Sequence, residues 1–435
     1  MRFFGVVAIV PLVAAMAAAT ALTGAVAAGF TRRQMASPFL TAAAWVVLEA
    51  LRGRAPLGGF AWADIGIAGH DLPPARALAS FGGVPLVSFV TVALAGFLVD
   101  LVVSLRVQPR RATVLAGAGV AAMILVVVAA DLTRYEPRET GRLRVAMLQG
   151  DAVELTLSQQ QRQHLTATHL ALAGRLRGHY DLIVFPEGAL DTDPQLDPDL
   201  RARLTAIARG HGASLLVNAR TPAPAFDSGN DPLAGGRDFN SNLMYGPDGA
   251  FEGVYSKQHL VPFGEYVPWR TTLGFIGELR QIPYDFARGH GTVMFRVGGH
   301  EIGTVICFES AFGPLVRDFV RRGAEAIVVS TNNRSYHRSG NSEQHVANSQ
   351  MRAAETGRPV LQASVSGISA VIDPDGTVHD RTGLFEQAIV STTIHPATGD
   401  TPYVRYGDWI VTISALGMVA AAITGAVRVR GRRAA

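Results

Sequence analysis

Three reactive side chains each stand at the end of a short apolar run that predicts a buried strand. Glu187 closes the run DLIVFPE, Lys257 follows VYS, and Cys307 ends GTVIC. A catalytic cysteine needs a base to take its proton and positive charge to stabilise the oxyanion on the attacked carbonyl. Glutamate can be that base, and lysine can lower the thiol pKa and stabilise the oxyanion. The backbone N–H of Phe308 is a natural second oxyanion donor.

Each of these residues also has an ordinary structural interpretation. A single cysteine in an apolar strand often packs as a small hydrophobic side chain. Glu187 could cap a helix after Phe-Pro, and Lys257 could be a surface charge. The arrangement favours chemistry, because each residue ends an apolar strand beside turn residues. Spacing alone leaves both interpretations open.

The composition indicates a chain that lies partly in a membrane. Of its 435 residues, 48% are hydrophobic and 17% are charged, whereas a soluble protein carries about 25% charged residues. The net charge of +4 comes largely from arginines near long apolar runs, which suits a bilayer surface. The sequence has no basic stripe with interleaved aromatic residues, so it does not indicate nucleic acid as a partner. The single cysteine excludes a disulfide framework and a cysteine-based zinc site, and the histidines show no metal-binding spacing.

Apolar segments predict four membrane spans within residues 1–135 and a last one over residues 409–428. The first could instead be a secretory signal, and the second a buried amphipathic segment. Arginine clusters between and after the spans belong in the cytoplasm by the positive-inside rule, which places the region before the last span outside. The predicted spans cover residues 3–31, 34–48, 84–105, 112–130 and 409–427.

From Arg142 onward, short apolar runs alternate with stretches whose apolar residues have helical spacing. This alternation predicts an α/β domain with a layered sheet core over residues 142–400. Two Pro-Asp-Gly turns, at 247–249 and 374–376, predict hairpins. Residues 221–240 are rich in Pro, Gly, Asp and Asn, which predicts a surface loop. The predicted strands are 143–149, 181–187, 213–219, 301–309 and 324–331, and the predicted helices are 158–178, 197–210, 310–322 and 343–357.

The segment KQHLVPFGEYVPWR, which begins at Lys257, is the most specific motif of the chain. It resembles the segment that begins at the catalytic lysine of apolipoprotein N-acyltransferases, within the nitrilase (carbon–nitrogen hydrolase) superfamily. Members of that superfamily use Glu, Lys and Cys in this chain order. Further matches are VFPEG, ICFES, MRAAETGRPVL and GISAVIDPDG, and in the apolar parts WVVLEALRG, GGFAW and RYGDW. The resemblance therefore covers nearly the whole chain.

The resemblance implies a nitrilase-like αββα sandwich inserted between transmembrane helices. It implies that Glu187 is the general base, Lys257 the oxyanion stabiliser and Cys307 the nucleophile. Glu265 matches a second family glutamate near the active site, and Glu309 matches the glutamate that follows the cysteine. The residues themselves, with no histidine pair at metal-binding spacing, predict no metal and no diffusible cofactor.

The implied reaction is the last step of lipoprotein maturation in a bacterial plasma (inner) membrane. A thioester on the cysteine would carry a fatty acyl group from a phospholipid to the α-amine of a diacylglyceryl-modified lipoprotein, on the extracytoplasmic side. A membrane-tethered amidase would use the same three residues but would hydrolyse the thioester with water. A non-catalytic relative that binds lipoprotein or lipid is a third interpretation.

Four departures from the family pattern bear on these expectations. Phe308 replaces the usual Tyr after the nucleophile, and residues 332–336 read Asn-Asn-Arg-Ser-Tyr in place of Asn-Asp-Ala-Trp-Phe. The Trp usual after the first strand is absent from residues 154–161. The family also has more N-terminal spans than the four counted here. Either the sequence starts inside a longer reading frame, or its membrane part is shortened.

Overall fold

The computed structural model describes residues 2–32, 37–107, 110–151, 159–223, 238–273, 275–277, 279, 282 and 284–434. The chain divides into two compact units. A helical unit contains Met1–Tyr135 and Arg405–Ala435, and a sandwich unit contains Glu136–Val404.

The helices and strands have the following bounds. The helices are α1 (Arg2–Arg32), α2 (Pro38–Arg52), α3 (Pro73–Val107), α4 (Arg110–Leu132), α5 (Gln159–Ala173), α6 (Pro198–His211), α7 (Arg270–Leu273), α8 (Gly313–Arg321), α9 (Asn341–Thr356), α10 (Pro402–Tyr406) and α11 (Trp409–Ala434). The strands are β1 (Arg138–Glu139), β2 (Leu143–Gln149), β3 (Leu182–Val184), β4 (Ser214–Pro222), β5 (Asp238–Tyr245), β6 (Phe251–Ser256), β7 (Met294–Val297), β8 (His300–Ile306), β9 (Ala326–Thr331), β10 (Val360–Ser364), β11 (Ala370–Ile372), β12 (Val378–His379), β13 (Ala388–Ile394) and β14 (Ala397–Thr398).

The helical unit packs its apolar helices through small side chains. Ala42 of α2 and Ala93 of α3 are fully buried, and they form one apolar cluster with the buried Met123 of α4. Small residues let helix backbones approach closely, which is the usual way in which apolar helices associate in lipid. Gly82 and Gly83 leave helical geometry inside α3, where Gly83 has a φ of 70°. Glycine tolerates this backbone without a side-chain clash, so α3 bends at this point.

Three of the described helices are long and apolar enough to cross a membrane. They are Pro73–Arg106, Arg110–Leu132 and Trp409–Val427, and the described part of α1 adds the shorter apolar stretch Val13–Gly29. The third predicted span thus begins earlier in the chain than expected. The second predicted span starts within residues 33–36, which lie outside the described residues, and α2 itself has 15 residues. The expected five spans therefore stay a prediction.

The sandwich unit has two six-stranded sheets, ordered β13-β2-β3-β4-β5-β6 and β12-β11-β10-β9-β8-β7. Side chains alternate between the faces of a strand. On β2, Leu143, Val145 and Met147 point into the core between the sheets. Ala146 and Leu148 point into a second core on the opposite face.

Helices cover the outer face of each sheet. Leu172 of α5 and Leu204 of α6 close the second core of the first sheet. Val316 and Phe319 of α8, with Val346 of α9, pack against the other sheet. The result is a four-layer αββα sandwich whose sequence lies between α4 and α11, which confirms the predicted fold class.

The structure corrects the ends of several predicted elements. The strand predicted over 181–187 stops at Val184, because Pro186 has no N–H to donate to a ladder. The strand predicted over 301–309 stops at Ile306 and gives way to a 3₁₀ turn over Cys307–Ala311. The predicted loop 221–240 begins and ends as paired strand, with β4 and β5 in register. Its middle, residues 224–237, lies outside the described residues.

Candidate active site

Glu187 lies in the turn that follows β3, and its backbone is held from two sides. The side-chain amide of Asn332 donates to the carbonyl oxygen of Glu187 over 3.1 Å. The N–H of Gly188 donates to the side-chain oxygen of Asn218 over 2.7 Å. These bonds come from different sheets, since Asn218 belongs to β4 and Asn332 follows β9. The backbone of the turn at Glu187 is consequently tied to both sheets.

Lys257 follows β6, and its side chain is fully buried between two carboxylates. Its Nζ lies 2.9 Å from Oε1 of Glu265 and 3.4 Å from Oε1 of Glu187. Burial alone would lower the pKa of Lys257, but the charges of Glu187 and Glu265, with a smaller effect of Cys307, raise it well above its ordinary value. Lys257 is therefore a fixed ammonium at neutral pH.

Asn240 of β5 joins the two carboxylates. Its side-chain amide donates to Oε1 of Glu187 over 2.7 Å and to Oε1 of Glu265 over 2.9 Å. Glu265 is anchored in turn, because its Oε2 accepts the N–H of Val261 over 2.9 Å. The structure thus brings Glu265 to Lys257.

Cys307 begins the 3₁₀ turn that follows β8. Its φ of 53° lies in the left-handed region, which costs energy for a residue with a side chain. A sharp turn of this kind at a strand end presents a nucleophile clear of the sheet. Nε2 of buried His345 donates to the carbonyl oxygen of Cys307 over 3.1 Å. The strained turn is therefore held from the helical layer by α9.

The thiol of Cys307 is protonated in this resting arrangement. Burial raises its pKa to about 12, and the charge of Glu187 adds to that effect. Lys257 lowers the thiol pKa, as the sequence suggested, and so does a hydrogen bond from Thr331, but both effects are outweighed. A base must consequently remove the proton as the sulfur attacks.

Glu309 links the turn of Cys307 to the segment after Lys257. Its buried carboxylate accepts the N–H of Ile306 over 2.8 Å, that of Gln258 over 2.6 Å and the hydroxyl of Tyr255 over 2.9 Å. Burial raises the pKa of Glu309 to about 6, although these N–H groups and Lys257 act in the opposite direction. The side chain therefore positions the nucleophile and the lysine relative to each other.

Phe308 and Tyr336 line the surroundings of the nucleophile. The Phe308 ring is buried and meets Phe312 edge to face, with 5.1 Å between ring centroids. Burial and the charges of Cys307 and Glu187 raise the pKa of Tyr336. Tyr336 ends the segment 332–336 in which the sequence departs from the family pattern, so that departure lies beside the candidate nucleophile.

The sequence did not single out the asparagines that surround the carboxylates. Asn218, Asn240 and Asn242 are buried on two neighbouring strands and are hydrogen-bonded through the amide of Asn218, at 3.0 Å to each partner. The alternation in the run FNSN is the signal that could have found Asn240 and Asn242, since it places two polar residues on one buried face. Among the described residues, no group of three or more His, Cys, Asp or Glu could hold a metal ion.

Known families match both parts of the chain. The carbon–nitrogen hydrolase family matches residues 144–403. The N-terminal domain of apolipoprotein N-acyltransferase matches residues 1–97.

Relatives named apolipoprotein N-acyltransferase resemble most of the chain. The protein from Geobacter metallireducens is 31% identical over 84% of this chain and 69% of its own length. Those from Methylococcus capsulatus and Mycolicibacterium smegmatis are 32% and 31% identical over 90% and 81% of this chain. The chain spans 73% and 62% of the length of these two relatives.

Solved structures of the nitrilase superfamily resemble part of the chain. An amidase variant from Nesterenkonia AN1 has a TM-score of 0.44 and 19% identity, covering 62% of this chain and 95% of the amidase. A carbon–nitrogen hydrolase superfamily protein from Xanthomonas campestris has a TM-score of 0.44 and 20% identity, covering 59% and 91%. On the sequence matches, this chain belongs to the apolipoprotein N-acyltransferase family of the carbon–nitrogen hydrolases.

Proposed function

We propose that this chain transfers a fatty acyl group from a phospholipid to the N-terminal amine of a diacylglyceryl-cysteine lipoprotein, through a thioester on Cys307. The observation that carries the proposal is the placement of Lys257 between two carboxylates, in a segment that Glu309 ties to the cysteine turn. This arrangement supplies a base, a fixed positive charge and a nucleophile. It resembles the sites of carbon–nitrogen hydrolases in chain order and in residue types.

In the first half-reaction, Glu187 takes the thiol proton while the sulfur of Cys307 attacks the ester carbonyl of the phospholipid. The negative charge that develops on the carbonyl oxygen is stabilised by the Lys257 ammonium and the N–H of Phe308. The C–O bond then breaks, and the leaving alkoxide takes the proton back from Glu187. The products are a lysophospholipid and an acyl thioester on Cys307.

In the second half-reaction, the lipoprotein amine attacks the thioester carbonyl and gives a proton to Glu187. The C–S bond breaks, and the proton passes to the sulfur of Cys307, which restores the thiol. The amide product is more stable than the thioester, so the transfer is driven forward. Glu265 holds Lys257 in place through both steps, because its carboxylate lies 2.9 Å from Nζ.

The membrane arrangement belongs to the same proposal. We propose that residues 1–135 and 409–428 form the membrane part, with several spans, and that residues 142–400 form an extracytoplasmic catalytic domain. Both proposed substrates are lipids or lipid-anchored, so an enzyme fixed in the bilayer meets them at a constant depth. The apolar helices Arg110–Leu132 and Trp409–Val427 flank the sandwich unit in the sequence, in agreement with this arrangement.

The proposal is tested by intact-mass spectrometry of the purified protein with a phospholipid of defined acyl chains. We expect a mass increase of one acyl chain on Cys307, the single cysteine. A diacylglyceryl-cysteine peptide should discharge it much faster than water does. The Cys307→Ala variant should gain no adduct. Discharge to water at the same rate would instead support an amidase, and a folded protein without an adduct would refute the thioester.

A further inference from the structure

His345 of α9 is fully buried beside the turn that begins at Cys307. Its Nε2 donates to the carbonyl oxygen of Cys307 over 3.1 Å. Seven residues further along the same helix, Nη1 of Arg352 donates to the carbonyl oxygen of Ala311 over 3.1 Å. Residues seven apart lie on one face of a helix. This face of α9 therefore holds the first and the last residue of the 3₁₀ turn Cys307–Ala311.

The helix that carries His345 is itself anchored on the sheet. The Ser349 hydroxyl donates to the side-chain oxygen of Gln362 on β10 over 2.7 Å. Arg352 and Glu355 form a buried ion pair with 2.7 Å between Nε and Oε2. The packing of α9 consequently sets the position from which His345 reaches the cysteine turn.

The carbonyl that His345 holds belongs to the same peptide group as the N–H of Phe308. A peptide group is planar and trans, so its C=O and its N–H point in opposite directions. A hydrogen bond that fixes the carbonyl oxygen on one side therefore also fixes the direction of the N–H on the other side. Rotation about ψ of Cys307 and φ of Phe308, which this bond opposes, would turn the N–H away from the carbonyl of a bound ester.

The bond to the carbonyl requires one particular state of the His345 ring. Burial lowers the pKa of His345 to about 4, although the bond to the Cys307 carbonyl opposes this, and the charge of Lys257 lowers it too. The ring is therefore neutral at pH 7. A neutral imidazole that donates from Nε2 must accept a hydrogen bond at Nδ1.

The carboxamide of Asn333 lies where that donor is needed. Its Oδ1 is 2.9 Å from Nδ1 of His345 and 2.8 Å from the hydroxyl oxygen of Thr331. In that orientation two acceptors face each other, and Nδ2 of Asn333 is buried without a hydrogen-bond partner among the described residues. Half a turn of the carboxamide exchanges its two atoms, and the nitrogen then donates to the ring and to the hydroxyl oxygen.

The same orientation suits Thr331. This residue ends β9, which pairs with β8, so it lies at the same sheet edge as Cys307. When its oxygen accepts from Asn333, its own proton can go to the sulfur of Cys307, in a hydrogen bond that lowers the thiol pKa. His345, Asn333 and Thr331 then connect the carbonyl of Cys307 back to its sulfur.

We propose that His345 is a positioning residue of the oxyanion site, which directs the N–H of Phe308 at the acyl carbonyl, and that Asn333 fixes the tautomer this requires. The inference rests on the proposed acyl transfer, in which that N–H stabilises the developing negative charge. His345 acts through the backbone and touches no reacting atom. Both half-reactions pass through an oxyanion, so His345 serves both.

The test compares two reactions of the same sulfur. Acylation by dioleoylphosphatidylglycerol in detergent micelles passes through an oxyanion, whereas alkylation by iodoacetamide displaces iodide and forms none. Both adducts are measured by intact mass at one pH, because Cys307 is the single cysteine. A residue that supports the whole turn affects both reactions, and a residue that positions the oxyanion donor affects acylation alone.

His345→Asn and His345→Gln form a matched pair. The shorter carboxamide does not reach the Cys307 carbonyl, and the longer one places its nitrogen near the position of Nε2. Removal of an oxyanion donor costs about 10²–10³-fold in rate, so for His345→Asn we expect acylation to slow at least about tenfold. Discharge by a diacylglyceryl-cysteine peptide should slow as well, while alkylation stays close to the wild-type rate. His345→Gln should keep most of the acylation rate.

His300→Leu is the control for the loss of a histidine from the same layer of the fold. His300 is the first residue of β8, at the end of the strand opposite to Cys307, and its Nδ1 lies 2.8 Å from Oε2 of Glu325. The substitution should lower the unfolding temperature and leave the rates of acylation and alkylation unchanged.

Other outcomes overturn the proposal. Equal losses of acylation and alkylation in His345→Asn would mean that His345 supports the turn as a whole, and unchanged acylation would show that the oxyanion donor needs no such support. A loss that His345→Gln shares in full would assign the effect to the shape of the imidazole and not to its hydrogen bond. If His345→Asn does not fold, His345→Leu gives the same comparison. A wild-type protein that is alkylated but forms no thioester would refute the proposed function itself, a result distinct from a selective loss in the variant.

Discussion

At the scale of single residues, opposing charges determine the state of the nucleophile. Lys257 favours the thiolate of Cys307, whereas burial and Glu187 favour the thiol and together outweigh it. A site with a protonated resting thiol avoids a permanently reactive sulfur and makes the base necessary in each turnover. The carboxylate thus has two effects, since it accepts the proton during reaction and disfavours its loss at rest.

The two charges should shift the reactivity of Cys307 in opposite directions. Glu187→Gln removes a negative charge, so the thiol pKa falls and the thiolate fraction between pH 7 and about 9 rises. Lys257→Met removes a positive charge and should raise the thiol pKa further. Intact-mass measurement of iodoacetamide alkylation against pH follows this, because Cys307 is the single cysteine. Glu187→Gln should alkylate faster than wild type while it loses acyl transfer, and Lys257→Met should alkylate more slowly.

The same shift in both variants would contradict the assigned charges. It would show that each substitution changes the access of iodoacetamide to the sulfur and leaves the thiol pKa unaltered. Thermal unfolding of both variants is the control for loss of structure.

At the scale of elements, the sequence could predict which strands end at the site but not which of their neighbours support it. The run 143–149 was predicted with the bounds that β2 has, because a buried strand is read from its continuous apolar residues. Glu187, Lys257 and Cys307 stand out because turn residues follow an apolar run. Asn240 has no such mark, and its role depends on the β4–β5 register, a non-local pairing that one sequence does not reveal.

His345 was missed as a support of the site for a similar reason. In the sequence it is only a residue near the start of the predicted helix 343–357, with no metal-binding spacing to another histidine. Its contact with the Cys307 carbonyl joins residues 38 positions apart, which only the packing of α9 on the cysteine turn brings together. The early ends of the strands before Glu187 and Cys307 follow from local backbone limits, namely Pro186 and the positive φ of Cys307.

Asn240 gives a test of the support that β5 provides. Asn240→Ala removes the amide that donates to both Glu187 and Glu265. The repulsion between these two carboxylates is then no longer offset by a shared hydrogen-bond donor. We expect thioester formation to slow about tenfold, since hydrogen bonds to charged groups contribute ~1.5–3 kcal/mol. The measurement is the rate of acyl-adduct formation by intact mass. Asn242→Ala is the matched control, because its amide donates to Thr304 and touches neither carboxylate.

Asn242→Ala should lower the unfolding temperature but leave the acylation rate near that of wild type. If both variants lost the same activity, the asparagines would act only by holding the strands together.

At the scale of the whole molecule, the two units have different physical requirements. The helical unit exposes large apolar side chains such as Leu115, Leu125 and Ile423, which a bilayer would cover. The sandwich unit instead buries its apolar side chains between its sheets and beneath its outer helices. One chain therefore combines a part suited to lipid with a part suited to an aqueous compartment. The sandwich unit must then lie on one side of the membrane.

The positive-inside rule predicts which side this is. Arg110 and Arg111 are the first two residues of α4, at its end next to α3, and the chain has four arginines after residue 427, so both places should be cytoplasmic. With α4 and α11 as spans, the sandwich unit is then extracytoplasmic. A cysteine-free Cys307→Ala background allows a direct test, with single cysteines introduced as Arg296→Cys on β7 or Arg110→Cys. A membrane-impermeant maleimide should label Arg296→Cys in intact cells and Arg110→Cys only after the membrane is opened. The reverse pattern would place the sandwich unit in the cytoplasm, where the proposed lipoprotein acceptor would not reach it.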